Sequence, residues 1–134
     1  MAVFGGEKMF RVAEFQKIKG RQVFIKFADR GYKLAPDGTL SHRRKKVCQK
    51  DKRRKNYVEV NMWSGRLDIA GTPIFEQDIV FEQKENVRGV VKFYNSLGGF
   101  VLRVAAGNIQ IPYTYITDDY LFEVVGNAYK DSKK

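Results

Sequence analysis

The chain has 134 residues, 43% hydrophobic and 13% aromatic, with 25 Lys and Arg against 15 Asp and Glu, for a formal net charge of +10. That length supports one compact domain with a real core. No apolar run approaches the roughly 20 residues that a membrane helix needs, and the start MAVFGGEKMF lacks the basic opening and long apolar middle of a secretory signal, so a cytoplasmic protein is expected. With one cysteine, Cys48, and one histidine, His42, the chain has neither an internal disulfide nor the usual four-ligand zinc site, and no cofactor is expected.

In chain order, residues 1–8 hold two glycines and little periodicity and read as a mobile leader. Residues 10–19 read as an opening strand. Val23, Ile25 and Phe27 alternate with Phe24, Lys26 and Ala28 in a second strand, which stops at Asp29-Arg30-Gly31. A short strand at 32–34 runs into Ala35-Pro36-Asp37-Gly38, a turn that proline pre-sets and glycine closes. Residues 43–55, RRKKVCQKDKRRK, follow with nine Lys or Arg against one Asp. Their local net of +8 leaves about +2 of the chain's +10 for everything else. With no apolar face beyond Val47 and Cys48, this run is expected as a projecting loop or hairpin tip spanning 42–56.

A strand at 57–63 places Val58, Val60 and Met62 on one face and Tyr57, Glu59, Asn61 and Trp63 on the other, with Ser64-Gly65 ending it and a short strand at 66–70 after it. Residues 71–104 then read as three strands meeting at two turns. Ile79/Phe81, Val91/Phe93 and Phe100/Leu102/Val104 carry the period-two pattern, and Lys84-Glu85-Asn86 and residues 95–99 supply the turns. Ile109, Ile111, Tyr113 and Tyr115 alternate around Pro112, which assigns that strand to an edge or a bulge. Thr117-Asp118-Asp119 is a turn, residues 120–125 a last strand, and 131–134 a tail. The expectation is an all-β or mainly β chain: one β-rich domain at 9–130, with an N-terminal part at 9–70 carrying the basic loop and a C-terminal part at 71–130.

PIFEQDIV at 73–80, followed by RGVVKFYNSLGGFVL at 88–102, resembles the central signature of the YopX family of bacteriophage and prophage proteins. Met9-Phe10-Arg11-Val12 and the stretch from Phe122 to Tyr129 are similar to that family's two ends. The chain departs from the pattern at Ala13, where an aromatic residue is usual, and in the basic run. The resemblance implies a mostly β architecture with an SH3-like barrel in the C-terminal half and a phage or mobile-element origin in a bacterial host. It implies no activity, because the family has no settled biochemical function. Residues 32–60 are also similar to small DNA-binding repeats attached to phage homing endonucleases, although no nuclease half accompanies them.

The basic run is the candidate site. Arg43, Arg44, Lys45, Lys46, Lys50, Lys52, Arg53, Arg54 and Lys55 are suited to phosphates, while Tyr57 and Trp63, on the more polar face of their strand, either stack on unpaired bases or cover the rim of the core. Phosphate contacts position a protein without specifying sequence, so the first expectation is non-specific DNA or RNA binding. The alternative is an inhibitor or modulator whose basic loop meets an acidic surface of a host protein. An enzyme is not expected, since no nucleophile–base set, phosphate-cradling glycine loop or metal cluster is visible. His42 beside arginines reads as a bystander, and Cys48 as a thiol without a base. Glu76 and Asp78 can pair in a site, but Asp78 more simply caps a turn, and Asp118-Asp119 reads as turn chemistry. Phe24, Phe27, Phe93, Tyr94, Phe100 and Phe122 are core candidates. The edge at 109–115 offers a route to a homo-oligomer by strand addition.

Overall fold

The computed structural model describes residues 9–28, 31–47, 49 and 53–131. The leader, Cys48, Lys50, Lys52, the Asp29-Arg30 turn and the end of the tail lie outside the described residues. The chain is mainly β and forms two compact units, one Phe10–Asn61 and the other containing Met9 and the described residues from Met62 onward. No helix among the described residues is long and apolar enough to cross a membrane.

In the N-terminal unit, β1 (Phe10–Ile18) pairs antiparallel with β2 (Arg21–Phe27) across a two-residue turn, Lys19-Gly20. Both turn residues have positive φ, 51° and 78°, and glycine occupies the second at no steric cost. The register slips between Glu14 and Phe15, so Ile25 bulges out of β2 and is left 47% exposed. A small antiparallel sheet follows, in the order β3 (Tyr32–Leu34), β4 (Leu40–His42), β5 (Lys45–Lys46). The expected turn precedes β4: Gly38 N–H donates to the Ala35 carbonyl and Thr39 N–H to the Asp37 carboxylate. The strand β6 (Asn56–Leu67) enters this unit through its first six residues, beside β1. Val12, Leu40 and Val58 form the buried core, with Phe10, Tyr32, Leu34, Val47 and Val60 packed around them.

An aromatic row crosses three strands of this unit. Tyr57 of β6 stacks on Phe15 of β1 at 5.0 Å and 4°. Phe15 meets Phe24 of β2 edge-on at 5.8 Å, and Phe24 leans on Phe27 at 4.9 Å. The Arg11 guanidinium caps the row 3.8 Å above the Phe27 ring.

The C-terminal unit is built on a five-stranded antiparallel sheet in the order β11-β10-β9-β8-β12. Its strands are β8 (Asp78–Glu82), β9 (Val87–Tyr94), β10 (Gly99–Ala106), β11 (Ile109–Tyr115) and β12 (Phe122–Asn127). β7 (Pro73–Phe75) pairs with the later half of β6. Ile74, Val80, Val91, Leu102, Ile116 and Phe122 are the buried core. The turns fall at the expected punctuation, and a 3₁₀ turn at Asn95–Leu97 ends in Gly98 at φ 68°. β11 is an edge strand, and its register against β10 slips beside Pro112, so the proline sits at both an edge and a bulge. One short helix, α1 (Ala128–Asp131), closes the unit where only the end of a strand was expected.

Two expectations are corrected. Ser64-Gly65 does not end a strand. Gly65 adopts φ 88° inside β6 and the pairing slips from Trp63↔Phe75 to Leu67↔Pro73, so the glycine absorbs a bulge and the strand continues to Leu67. Of the aromatic core candidates only Phe122 is buried. Phe93 is 43% exposed because it lies at the rim of the sheet, its ring edge-on to Phe100 at 5.1 Å.

Candidate functional site

Charge is divided between the units more sharply than the basic run alone indicates. Residues 10–61 hold sixteen Lys and Arg against five Asp and Glu, a net of +11, which leaves −1 of the chain's +10 for the rest. The excess is therefore a property of the whole N-terminal unit, with Lys19, Arg21, Lys26 and Lys33 adding exposed cations to those of residues 43–55.

Within the run, Arg43 and Arg44 form the two-residue tip of the β4–β5 hairpin, with His42 opposite Lys45. Their φ values, 51° and 74°, are both in the left-handed region. That is the backbone of a type I′ turn, which ordinarily takes Asn-Gly. Here two side chains with a Cβ occupy it, at about 1 kcal/mol or more of strain each. The Arg43 N–H donates to the Gly31 carbonyl at 3.2 Å, holding the tip against the preceding loop. His42 fills the space beside it: its ring lies 4.4 Å from that of Tyr32, and a Cβ on Gly31 would meet its Nε2 at 2.7 Å. The histidine is a packing element. Arg43, Arg44, Lys45, Lys46, Arg53, Arg54 and Lys55 are all exposed.

Two grooves flank this run and share Lys46, Val47 and Arg54. The first, about 470 Å³, has Phe15 and Tyr57 in its wall and adds Glu14, Gln16 and Asn56. The second, about 660 Å³, is bordered by the 37–39 turn and Gln49. In the first, the Tyr32 hydroxyl donates to Glu14 Oε2 at 3.0 Å. Burial, that hydrogen bond and the carboxylate's charge push the phenol up to about 12. In the second, the Thr39 N–H, the Thr39 side chain and then the Lys46 charge hold the Asp37 carboxyl below its usual range.

The two aromatic residues with a choice between base stacking and the core rim part company. Tyr57 is only 4% exposed, its ring face covered by Phe15, so it belongs to the core and offers no free face to a base. Of its two expected roles the structure gives Tyr57 the core one, because Phe15, 42 residues earlier, covers the face that strand alternation alone leaves to solvent. Trp63 is half-buried in the C-terminal unit, its Nε1 donating to the Arg66 carbonyl at 3.0 Å.

The carboxylates of the C-terminal unit are structural. Asp78, 2% exposed, accepts the Phe75 N–H at 2.8 Å and closes the β7–β8 turn as expected. Asp118 pairs with Arg66 at 2.6 Å on the surface. Two that sequence reasoning missed matter more. Glu82 is fully buried and accepts N–H bonds from Glu85, Leu121 and Lys84 at 2.6, 2.8 and 3.0 Å. Burial alone would raise its carboxyl, but the Glu85, Leu121 and Lys84 donors and the Lys84 ammonium hold it below the usual range. Asp68 accepts from Ala70, Thr72 and Val124, tying the 68–72 turn to β12. The only local signal for Glu82 is an acidic residue immediately before the Gln83-Lys84-Glu85-Asn86 turn.

Fold and site together define a mainly β protein with a strongly basic N-terminal unit carrying an arginine-tipped hairpin. The chain belongs to the YopX protein family, whose model matches residues 10–134. No curated protein and no solved structure matches it.

Proposed function

We propose that this YopX-family chain is a phage-type accessory protein, acting in the bacterial cytoplasm, whose basic N-terminal unit binds nucleic acid through phosphate contacts rather than by catalysis. The observation that carries this reading is the division of charge: +11 on residues 10–61 against −1 elsewhere, with every described cation of residues 43–55 exposed. Like charges gathered on one small unit repel one another, and a polyanion relieves that repulsion while releasing its own counterions. Arginines held in a strained hairpin tip support the same reading, because strain of this kind gathers at sites of function. In the same proposal the C-terminal unit is an SH3-like barrel, supported by the β8–β11 meander with β12 returning beside β8 over one apolar core.

The test is electrophoretic shift of labelled DNA and RNA at two salt concentrations. If about five cations engage duplex phosphates, log affinity falls against log salt with a slope of roughly −4 to −5, and raising salt from 50 to 200 mM weakens binding about 500-fold. Substituting Arg43, Arg44, Arg53 and Arg54 by Ala abolishes the shift. Absence of any shift at 50 mM salt overturns the proposal and leaves an acidic host-protein surface as the partner to seek, by pull-down from nuclease-treated lysate.

A further inference from the structure

The 470 Å³ groove has a composition that phosphate binding alone does not require. Duplex phosphates are met by exposed cations, and the hairpin tip provides those. The groove instead combines exposed Lys46 and Arg54 with the Gln16 and Asn56 amides and the Glu14 carboxylate, against the wall formed by Phe15 and Tyr57. Its volume falls in the range of small-molecule sites. Arg54 has no ion-pair partner among the described residues, and Lys46 feels the Asp37 charge from the neighbouring groove.

Glu14 is the informative residue. A carboxylate in a cationic groove weakens the attraction for phosphate, so a site built for polyanion backbone alone would omit it. It accepts the Tyr32 hydroxyl through Oε2, which fixes its position. A fixed carboxylate in a groove that Gln16 and Asn56 also line is suited to N–H donors on the edge of a base, as glutamate accepts from exocyclic amines. Ile25, pushed out of β2 by the bulge, adds an exposed apolar surface on the same groove.

We propose that this groove receives one unpaired nucleotide, its phosphate between Lys46 and Arg54 and its base edge toward Glu14, Gln16 and Asn56. The inference rests on the nucleic-acid reading above and deepens it to single-stranded DNA or RNA, or unpaired ends. A base within a duplex cannot enter, because its Watson–Crick edge is already paired. Single-stranded sequence therefore gains base contacts that the duplex lacks.

Fluorescence anisotropy with a 12-nucleotide single strand and the duplex of the same sequence, as DNA and as RNA, tests this on the full chain. The expected result is single-strand binding about tenfold tighter than duplex at equal salt, the equivalent of one or two good hydrogen bonds. The double variant Gln16→Ala/Asn56→Ala removes that preference and leaves duplex affinity unchanged. The conservative Glu14→Gln, whose amide oxygen still accepts the Tyr32 hydroxyl, changes the ranking among homopolymers. Titration of guanosine monophosphate moves the amide signals of Gln16, Ile25 and Asn56, and inorganic phosphate at the same concentration does not. Equal affinity for both strands with inert groove variants overturns the groove and leaves the phosphate-contact reading standing, and equal shifts by inorganic phosphate reduce the groove to an anion site and overturn it too. No binding of any oligonucleotide at low salt overturns both.

Discussion

Replacing Arg43 by Asn and Arg44 by Gly converts the β4–β5 tip to the residues a type I′ turn favours, and the two consequences run in opposite directions. The native φ values of 51° and 74° burden two side chains with left-handed backbone, worth about 2 kcal/mol together. Asn tolerates that region and Gly enters it freely, but Gly also widens the unfolded ensemble by about 0.5–1 kcal/mol. The net expectation is a gain of about 1 kcal/mol, or a rise of roughly 3–5 °C in Tm for a chain of this length. The Arg43 N–H bond to the Gly31 carbonyl is backbone and survives the change. Binding moves the other way: two lost phosphate contacts make the salt slope about 1.8 less negative and lower affinity roughly 60-fold at 0.1 M salt. Urea unfolding followed by tyrosine and tryptophan fluorescence measures the first effect, and anisotropy across a salt series the second. A variant less stable than the native chain refutes the strain. A more stable variant with an unchanged salt slope refutes the role of the tip.

Other substitutions separate packing from function. Tyr57→Ala removes the ring stacked on Phe15 and costs about 3–5 kcal/mol in chemical unfolding, whereas Tyr57→Phe keeps the stack and leaves both stability and oligonucleotide binding close to native. Glu82→Gln loses an ionised acceptor of three backbone N–H groups and destabilises by about 2–4 kcal/mol at neutral pH. Because Glu82 ionises more readily when folded, its contribution is present above the ordinary carboxylate range and is lost as pH falls through and below it. The variant's stability should therefore decline less on acidification from pH 5 to pH 3 than the native chain's. Gly89→Ala drives a Cβ into the Arg103 carbonyl oxygen on the paired strand and against Leu102 Cγ. Backbone cannot yield there as a side-chain tip would, so loss of soluble folded protein or a fall in stability above about 3 kcal/mol is expected.

The elements of this chain were legible wherever their causes were local. Period-two alternation marked β8, β9 and β10, Pro36-Asp37-Gly38 marked its turn, and Pro112 marked an edge and a bulge. Each depends on residues within a few positions of one another. The density of cations at 43–55 was equally plain, and so was the possibility of a hairpin tip. Contacts over long sequence separation decided the rest. Phe15, stacked on Tyr57, decides between the core and the base-stacking role that its strand position leaves open. The groove draws Glu14 and Gln16 from β1, Tyr32 from β3, Lys46 from β5 and Asn56 from β6, and no spacing in the sequence relates them. Glu82 gave one acidic letter before a turn, while its three donors come from Lys84, Glu85 and the distant Leu121. Strand and turn are set by backbone sterics and side-chain period, which a short window contains. Burial, carboxylate satisfaction and the lining of a groove depend on which strands lie side by side, and pairing alone decides that.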